Sequence, residues 1–382
     1  MTSKLKTAIK FSIDLLINLF IKPSKKTVPK SLLLIRLDAI GDYILFRNFI
    51  EVLKQSEKYR DYDITLLGNS VWKSLSEELD GAFISKFIWL DRNRFHKDFF
   101  YRYQKLQEIV SLGYEIVISP TYSREFFYTD TIVKCLYAKE KIGNIGDVSN
   151  IKKWQKNSSD NYYTKLIPAE NELMFEFYRN KEFFENLLGE KLKIKKPTIM
   201  LKDKKIDFDL PQKYAILFIG ASASYRKWNI EKFAHVAKYL KEIYDYEIIL
   251  CGGSADLEDA KQFANYYKKN FIDLVGKTSL LDLLYVINHA NLMIANETSA
   301  PHVAVALEMT NVFVIYNGNH YGRFTPYPKE VSENYHVIYH PEIEKDLNDY
   351  KTLSNSYGFG SDLIINEISE EMVKNKIDEV LK

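Results

Sequence analysis

"SLLLIRLDAIGDYILFRN", residues 31–48, sets the reading of the whole chain. Its four apolar residues Leu32–Ile35 show no polar alternation, the mark of a strand buried on both faces. The pattern turns helical after Asp38 and the pair Gly41-Asp42. Strand, short junction and helix in that order make half of a parallel βαβ unit. Two carboxylates at such a junction have two explanations. One is a helix cap, and the other is a group that meets a ligand beyond the strand's carboxyl end.

The alternation continues along the chain. Strand-like segments at 62–68, 82–90 and 114–120 are followed by helix-like ones at 70–79, 95–112 and 124–138, with 41–56 after the first. Residues 144–165 are polar and irregular and read as a loop, and a helix over 169–188 follows. The charged stretch 191–213, with two prolines, reads as a linker. The rhythm then restarts, with strands at 214–220, 246–253, 270–276, 290–296 and 311–316 and helices near 229–243, 255–268, 279–288 and 298–307. The expectation is an α/β chain of two Rossmann-like doubly wound domains, residues 31–195 and 196–365, facing a central cleft. An N-terminal segment, 1–30, and a C-terminal helix, 366–382, flank them. A length of 382 residues suits two cores better than one.

Composition narrows the class. Hydrophobic residues make up 46% and charged residues 27%, the range of a globular chain. Cys135 and Cys251 lie far apart and the seven His form no HxxxH or HxH pair, so neither a disulfide framework nor a structural metal is expected. Seven Lys against one Asp give residues 1–30 a charge of +6, so the rest of the chain carries −4 of the net +2. That distribution argues against a nucleic-acid-binding surface. Within "KTAIKFSIDLLINLFIKPSKK", Lys6, Lys10, Asp14 and Asn18 form a polar stripe opposite Ile9, Ile13, Leu16, Ile17 and Phe20. This is an amphipathic helix ending near Pro23, too short and polar for a confident transmembrane span. It also lacks a small-residue cleavage site for secretion. Residues 4–26 suit an anionic membrane surface, where each Lys adds about 1 kcal/mol. The alternative is docking on protein.

Three junctions in the second half point to an anionic, sugar-bearing ligand. "FIGASASYRKWNIEKF" (218–233) ends a strand in small residues, then presents Arg226 and Lys227 before a helix. Small residues let backbone amides approach a phosphate, and the cations neutralise it. "CGGSADLEDA" (251–260) offers Gly252-Gly253 for close approach and Asp256 for a ribose or base; a plain turn is the competing reading. "ANETSAPHVAVAL" (295–307) places Glu297 at a strand tip, where it suits sugar hydroxyls. Thr298 and Ser299 then open an Ala-rich helix that contains His302, and its start is a natural anion site. A capping turn with a core histidine is the alternative there.

"IRLDAIGDYIL", "GASASYRKW", "GGSADLE" and "ANETSAPHVAVAL" resemble, in order and spacing, the signature segments of glycosyltransferase family 9, the ADP-heptose:lipopolysaccharide heptosyltransferases and their relatives. The resemblance runs over most of residues 31–330. It implies a GT-B fold, inverting sugar transfer from a nucleotide diphosphate without a metal, and ADP-heptose as the donor. It further implies a lipid-linked core oligosaccharide as acceptor and a cytoplasmic enzyme peripheral to the inner membrane. Asp42 matches the family's acid after glycine, taken as catalytic base. Arg226 falls where the family usually has Lys, with Lys227 sharing the role, and Ser222 lies near hydroxyl positions that touch the donor phosphates. Glu297 stands for the usual Asp, Thr298 follows it, Ser299 replaces a Gly, and His302 is retained. Asp38 sits where Ser is common and is the candidate cap or a second acceptor contact. Arg92, Arg94, Tyr122 and Arg124, near the ends of the third and fourth strands, are the cations and aromatic that would meet an anionic acceptor.

The helix's positive end favours an ionised Asp42, which is then available to take the acceptor's hydroxyl proton. Arg226, Lys227 and the helix start at 298 supply the positive potential for the leaving diphosphate. "DYD" (61–63) and "DFD" (207–209) match a metal-binding triplet literally, but one precedes a strand and the other lies in the linker. Two rival readings remain: a relative using another nucleotide sugar, motivated by Glu297 and Ser299, and a catalytically silent nucleotide-sugar-binding protein. A dinucleotide oxidoreductase is disfavoured, because neither half has GxGxxG after its first strand.

Overall fold

The computed structural model describes residues 20–202 and 208–382. The chain divides into two compact units, one of residues up to Asn171 with Tyr178–Lys193, the other of Glu172–Phe177 with Ile194–Lys382. The expected helix over 4–26 falls largely on residues 1–19, outside the described residues, as does part of "DFD". Past them the basic segment is tied to the first unit. The Lys22 backbone exchanges two hydrogen bonds of 3.1 Å with the Gln107 side chain, and the Ser24 amide donates to the Val110 carbonyl.

The first unit holds a six-stranded sheet: β1 (Val28–Arg36), β2 (Asp63–Asn69), β3 (Lys86–Leu90), β4 (Tyr114–Ser119), β5 (Glu140–Asn144) and β6 (Lys165–Ile167). Its order is β3-β2-β1-β4-β5-β6, all parallel. The second unit repeats the pattern with β7 (Tyr214–Phe218), β8 (Glu247–Cys251), β9 (Ile272–Asp273), β10 (Leu292–Asn296), β11 (Val312–Tyr316) and β12 (Tyr335–Tyr339). Its order is β9-β8-β7-β10-β11-β12, again parallel. Each sheet is a doubly wound, GT-B-type nucleotide fold. The strand order reverses between β1 and β4 and between β7 and β10, which opens a crevice outside the carboxyl ends of those strands.

The uninterrupted apolar runs explain the central strands. Leu32–Ile35 are fully buried and sit in register with Ile64–Leu67 on one side and Ile116–Ile118 on the other. Three strands depart from the sequence reading. β5 and β6 fall at or beside the stretch read as loop, which also contains a helix, Lys153–Ser159. β5 has a single large apolar residue, Ile142; its packing comes from Tyr163, whose ring would lie 2.4 Å from any Cβ at Gly143. β12, "YHVIY", is β-rich in composition but follows a long irregular segment. The helix expected over 124–138 is a π-turn, Phe126–Asp130, running into Thr131–Cys135. The C-terminal helix, Glu370–Leu381, packs on the second unit: the Asp378 carboxylate accepts from the Tyr239 and Tyr244 hydroxyls at 2.5 and 2.6 Å.

One packing device fixes the β1 junction. Trp72 lies flat on Tyr43 (4.5 Å between centroids, 9° between planes) and donates its indole N–H to the Asp38 carbonyl at 3.0 Å. The ring fits because residue 68 of β2 is glycine; a Cβ there would lie 2.4 Å from the Trp72 ring and 2.5 Å from Trp89. Gly68→Ala is therefore expected to overpack this point and destabilise the first unit by about 1–3 kcal/mol. A lowered midpoint in thermal unfolding followed by near-UV circular dichroism checks it, and an unchanged midpoint contradicts it.

Candidate functional site

In the first unit the Asp38–Asp42 junction is held from every side. The Asn69 side-chain amide donates to the Leu37 and Asp38 carbonyls at 3.3 and 3.1 Å, and Arg92 donates to the Leu37 carbonyl at 2.8 Å. The helix Ile40–Phe46 begins at Ala39, which provides no side-chain cap. Neither aspartate is therefore its N-cap: Asp38 precedes the cap, and Asp42 is the third helical residue. The buried face of this helix is bolted to Asp80, which accepts from the Tyr43 hydroxyl and from Arg47 at 2.8 Å. Asp42 is half-buried on this fixed helix, at the carboxyl end of β1.

Asp38 spans the crevice between β1 and β4. Its carboxylate lies 2.7 Å from the Arg36 guanidinium and accepts from the Thr121 hydroxyl at 3.3 Å. Arg36 is buried, stacks over Phe46 at 4.9 Å and donates to Asn180 at 2.9 Å. The two cations expected to meet an acceptor behave differently from that expectation. Arg92 makes a two-pronged pair with Glu125, 2.7 Å on each prong, and lies 4.4 Å over the Tyr128 ring. Arg124 is a correction: its side chain is 0% exposed, bonded to Asp160, 4.0 Å from Asp130 and 5.0 Å over Tyr163. A guanidinium spent on two carboxylates inside the unit cannot also grip a ligand.

In the second unit the strand-order reversal is bridged by Asn296, the last residue of β10. Its Nδ2 donates to the Ile219 carbonyl at 2.8 Å and its Oδ1 accepts from the Trp228 amide at 3.0 Å. This ties the loops that carry Ser222 and Arg226 to the strand that carries Glu297. Arg226 donates from Nη1 to Glu297 at 2.9 Å and from Nη2 to the Ser222 hydroxyl, while its Nε–H has no partner. Glu297 is only 5% exposed, and burial pushes its carboxyl pKa up while Arg226 pulls it back. Asn319, from the loop after β11, also reaches Glu297 at 3.4 Å. Thr298 is the N-cap of the helix Ser299–Ala306, but its hydroxyl makes no capping bond, so it does not compete for the first amides of that helix. The structure thus gathers Ser222, Arg226, Glu297, Thr298 and Ser299 at one sheet edge, where anions are favoured.

Three residues expected to touch the donor are used differently. Lys227 pairs with Asp256 at 2.6 Å and Asp259 at 2.7 Å; burial lowers its pKa, but these carboxylates outweigh that and the net shift is upward. Asp256 is buried, accepting from Lys227 and from the Gly253 amide at 2.9 Å. The glycines read as room for a phosphate are room for this carboxylate: a Cβ at Gly220 would lie 2.5 Å from it, and one at Gly252 3.0 Å. His302 is buried, with Nδ1 2.7 Å from the Tyr327 hydroxyl. Burial pushes its pKa down to about 4, so it is a neutral core histidine.

Sequence reasoning missed Asn319 and His320. Their loop, with Ser224 and Tyr225 and the segment 359–366, encloses a pocket of about 580 Å³ beside Arg226. His320 holds φ +57°, a left-handed backbone costly for a residue with a Cβ, and its Nδ1 has no partner. The run "NGNHYG", 317–322, was the available signal.

Comparisons with known proteins agree with this architecture. The family model for glycosyltransferase family 9 (heptosyltransferase) matches residues 104–351. A Veillonella parvula glycosyl transferase of family 9 superposes with a TM-score of 0.70 at 20% identity, over 94% of this chain and 99% of that one. Escherichia coli heptosyltransferase WaaC, solved with ADP, gives 0.67 at 15% identity, over 91% and 99%. The same enzyme with ADP-2-deoxy-2-fluoro heptose gives 0.66 at 16%. No curated protein sequence matches the chain.

The state of His302 is open to measurement. A histidine whose folded pKa lies below the ordinary 6.5 contributes stability above pH 6.5 and loses it as pH falls toward 4. The gap corresponds to about 3 kcal/mol. In His302→Leu the acid loss of stability between pH 7 and 4, from urea unfolding, is expected to shrink by about that amount. An unchanged acid limb would place His302 at an ordinary pKa.

Proposed function

The chain belongs to glycosyltransferase family 9, and from that premise we propose that it moves a heptose from a nucleotide diphosphate to a glycan hydroxyl, with inversion and without a metal. The observation that carries this is the Arg226 cluster. A guanidinium braced by Ser222 and Glu297, with 16% of its side chain exposed, stands beside a helix start whose cap side chain is not engaged. Such donors suit a diphosphate. The solved relative WaaC carries ADP and a fluorinated ADP-heptose, which supports ADP-heptose as the donor here.

In the proposed reaction the acceptor oxygen forms a bond to the donor's anomeric carbon. The bond from that carbon to the diphosphate breaks, and Asp42 receives the hydroxyl proton. The electron pair leaves on the diphosphate, where Arg226 and the amides at the start of Ser299–Ala306 stabilise it. Glu297 takes a sugar hydroxyl once the diphosphate engages Arg226. Lys227 acts indirectly, fixing the 224–228 turn through Asp256 and Asp259. A membrane-held acceptor at the cytoplasmic leaflet suits the basic, amphipathic pattern of residues 4–26; among the described residues no helix is long and apolar enough to cross a membrane.

Asp42→Asn is expected to lower the transfer rate by about 10²–10⁴-fold while ADP still raises the melting temperature. Transfer at the wild-type rate would remove Asp42 as base. Arg226→Ala is expected to weaken ADP binding by about 10–100-fold in calorimetry, the loss of a charge-assisted contact. Unchanged affinity would place the diphosphate elsewhere.

A further inference from the structure

A second cavity belongs to the first unit. The loops that follow β4 and β5 enclose a pocket of about 440 Å³, lined by His96, Glu125, Phe126, Phe127, Lys152 and Gln155 among others. It lies outside the carboxyl ends of adjacent parallel strands, the edge where doubly wound sheets bind ligands. Its floor is aromatic and fixed. Phe126 meets Phe127 edge-on at 5.2 Å and is backed by Trp154, outside the lining, at 5.5 Å, and Tyr128 adds a third ring to the lining. Phe126 also opens the π-turn, a geometry that recurs at functional sites.

Apart from Lys152, the cations around this pocket are already matched. Arg92 is held on both prongs by Glu125, and Arg124 is enclosed with Asp160 and Asp130. Lys156 pairs with Asp160 at 3.0 Å, and Arg102 donates to the Phe95 and Phe127 carbonyls. Among the lining residues Lys152 is the one cation and Glu125 the one carboxylate. A polyanionic glycan would need guanidinium or ammonium groups that are not committed elsewhere. An aromatic lining with amide and hydroxyl groups beside it instead suits an uncharged sugar ring, whose C–H face packs on a ring while its hydroxyls find the polar edge.

We propose that this pocket seats an uncharged sugar ring of the acceptor, so that the enzyme selects a neutral glycan at this subsite over an anionic one. This rests on reading the first unit as the acceptor-binding one. Phe127 and Tyr128 supply the stacking surface, and Gln155 and Lys152 the hydroxyl contacts.

The test pairs each member of a panel of neutral methyl glycosides with its 6-uronate twin. The panel is methyl hexosides and N-acetylhexosaminides of the gluco, galacto and manno series, titrated against the full-length protein by saturation-transfer NMR. At least one neutral glycoside is expected to bind about tenfold tighter than its uronate, and Phe127→Ala to weaken it about tenfold. Tyr128→Ala should act in the same direction. Equal or tighter binding of the uronates, no binding by any neutral member, or indifference to both variants would overturn the proposal. The melting-temperature rise with ADP, measured on the same samples, separates the two readings. If it persists while the sugar preference is absent, this inference fails alone; if it is absent, the donor site of the proposed function fails.

Discussion

The reversal of strand order, between β1 and β4 and again between β7 and β10, is the constraint on which the candidate site depends. At a reversal the crossover helices go to opposite faces of the sheet, and nothing covers the carboxyl ends of the two central strands. Those ends must then be closed by side chains. In the first unit a carboxylate does it, Asp38, which touches Arg36 and Thr121. In the second a neutral amide does it, Asn296, which bonds both neighbouring loops. Each closure also fixes the junction that carries the candidate site residues, so positioning and folding share the same bonds.

A recurring motif in both units is a carboxylate–guanidinium pair with at least one partner buried: Asp80 with Arg47, Asp38 with Arg36, Asp160 with Arg124, Glu297 with Arg226. Burying either partner alone would be costly, so the pairing is a condition of folding. Exposure then decides which pair can do more. Arg124 is wholly enclosed, whereas Arg226 leaves 16% of its side chain exposed and one N–H unpartnered. A ligand can compete for the second and not for the first.

The same distinction explains what the sequence disclosed. Central strands such as Leu32–Ile35 are legible because burial on both faces writes an unbroken apolar run. The strand-to-helix junctions that carry Asp42, Arg226 and Glu297 are legible because each comes after such a run. β5 is not, because its packing partner, Tyr163, arrives twenty residues later. Asp256 and Arg124 were misread for a related reason: a charged residue beside glycines or at a strand end looks ready for a ligand, and only the fold shows that Lys227 and Asp160 reach it first. Asn319 and His320 lie in an irregular loop, where no periodicity marks a residue as inward-facing.

The departures of this chain from its family's usual pattern are coupled. Arg in place of Lys and Glu in place of Asp each lengthen a side chain, and the two lengthened groups meet at 2.9 Å. A lysine ammonium is a point donor, whereas a guanidinium is a planar fork that divides its N–H groups among fixed acceptors. Here the fork gives one nitrogen to Glu297 and another to Ser222, so both are fixed by the same planar group. Shortening Arg226 alone would leave the buried Glu297 short of its counter-charge. The two positions therefore act as one unit, in which the reach of the Glu297 carboxylate is set by the arginine that holds it.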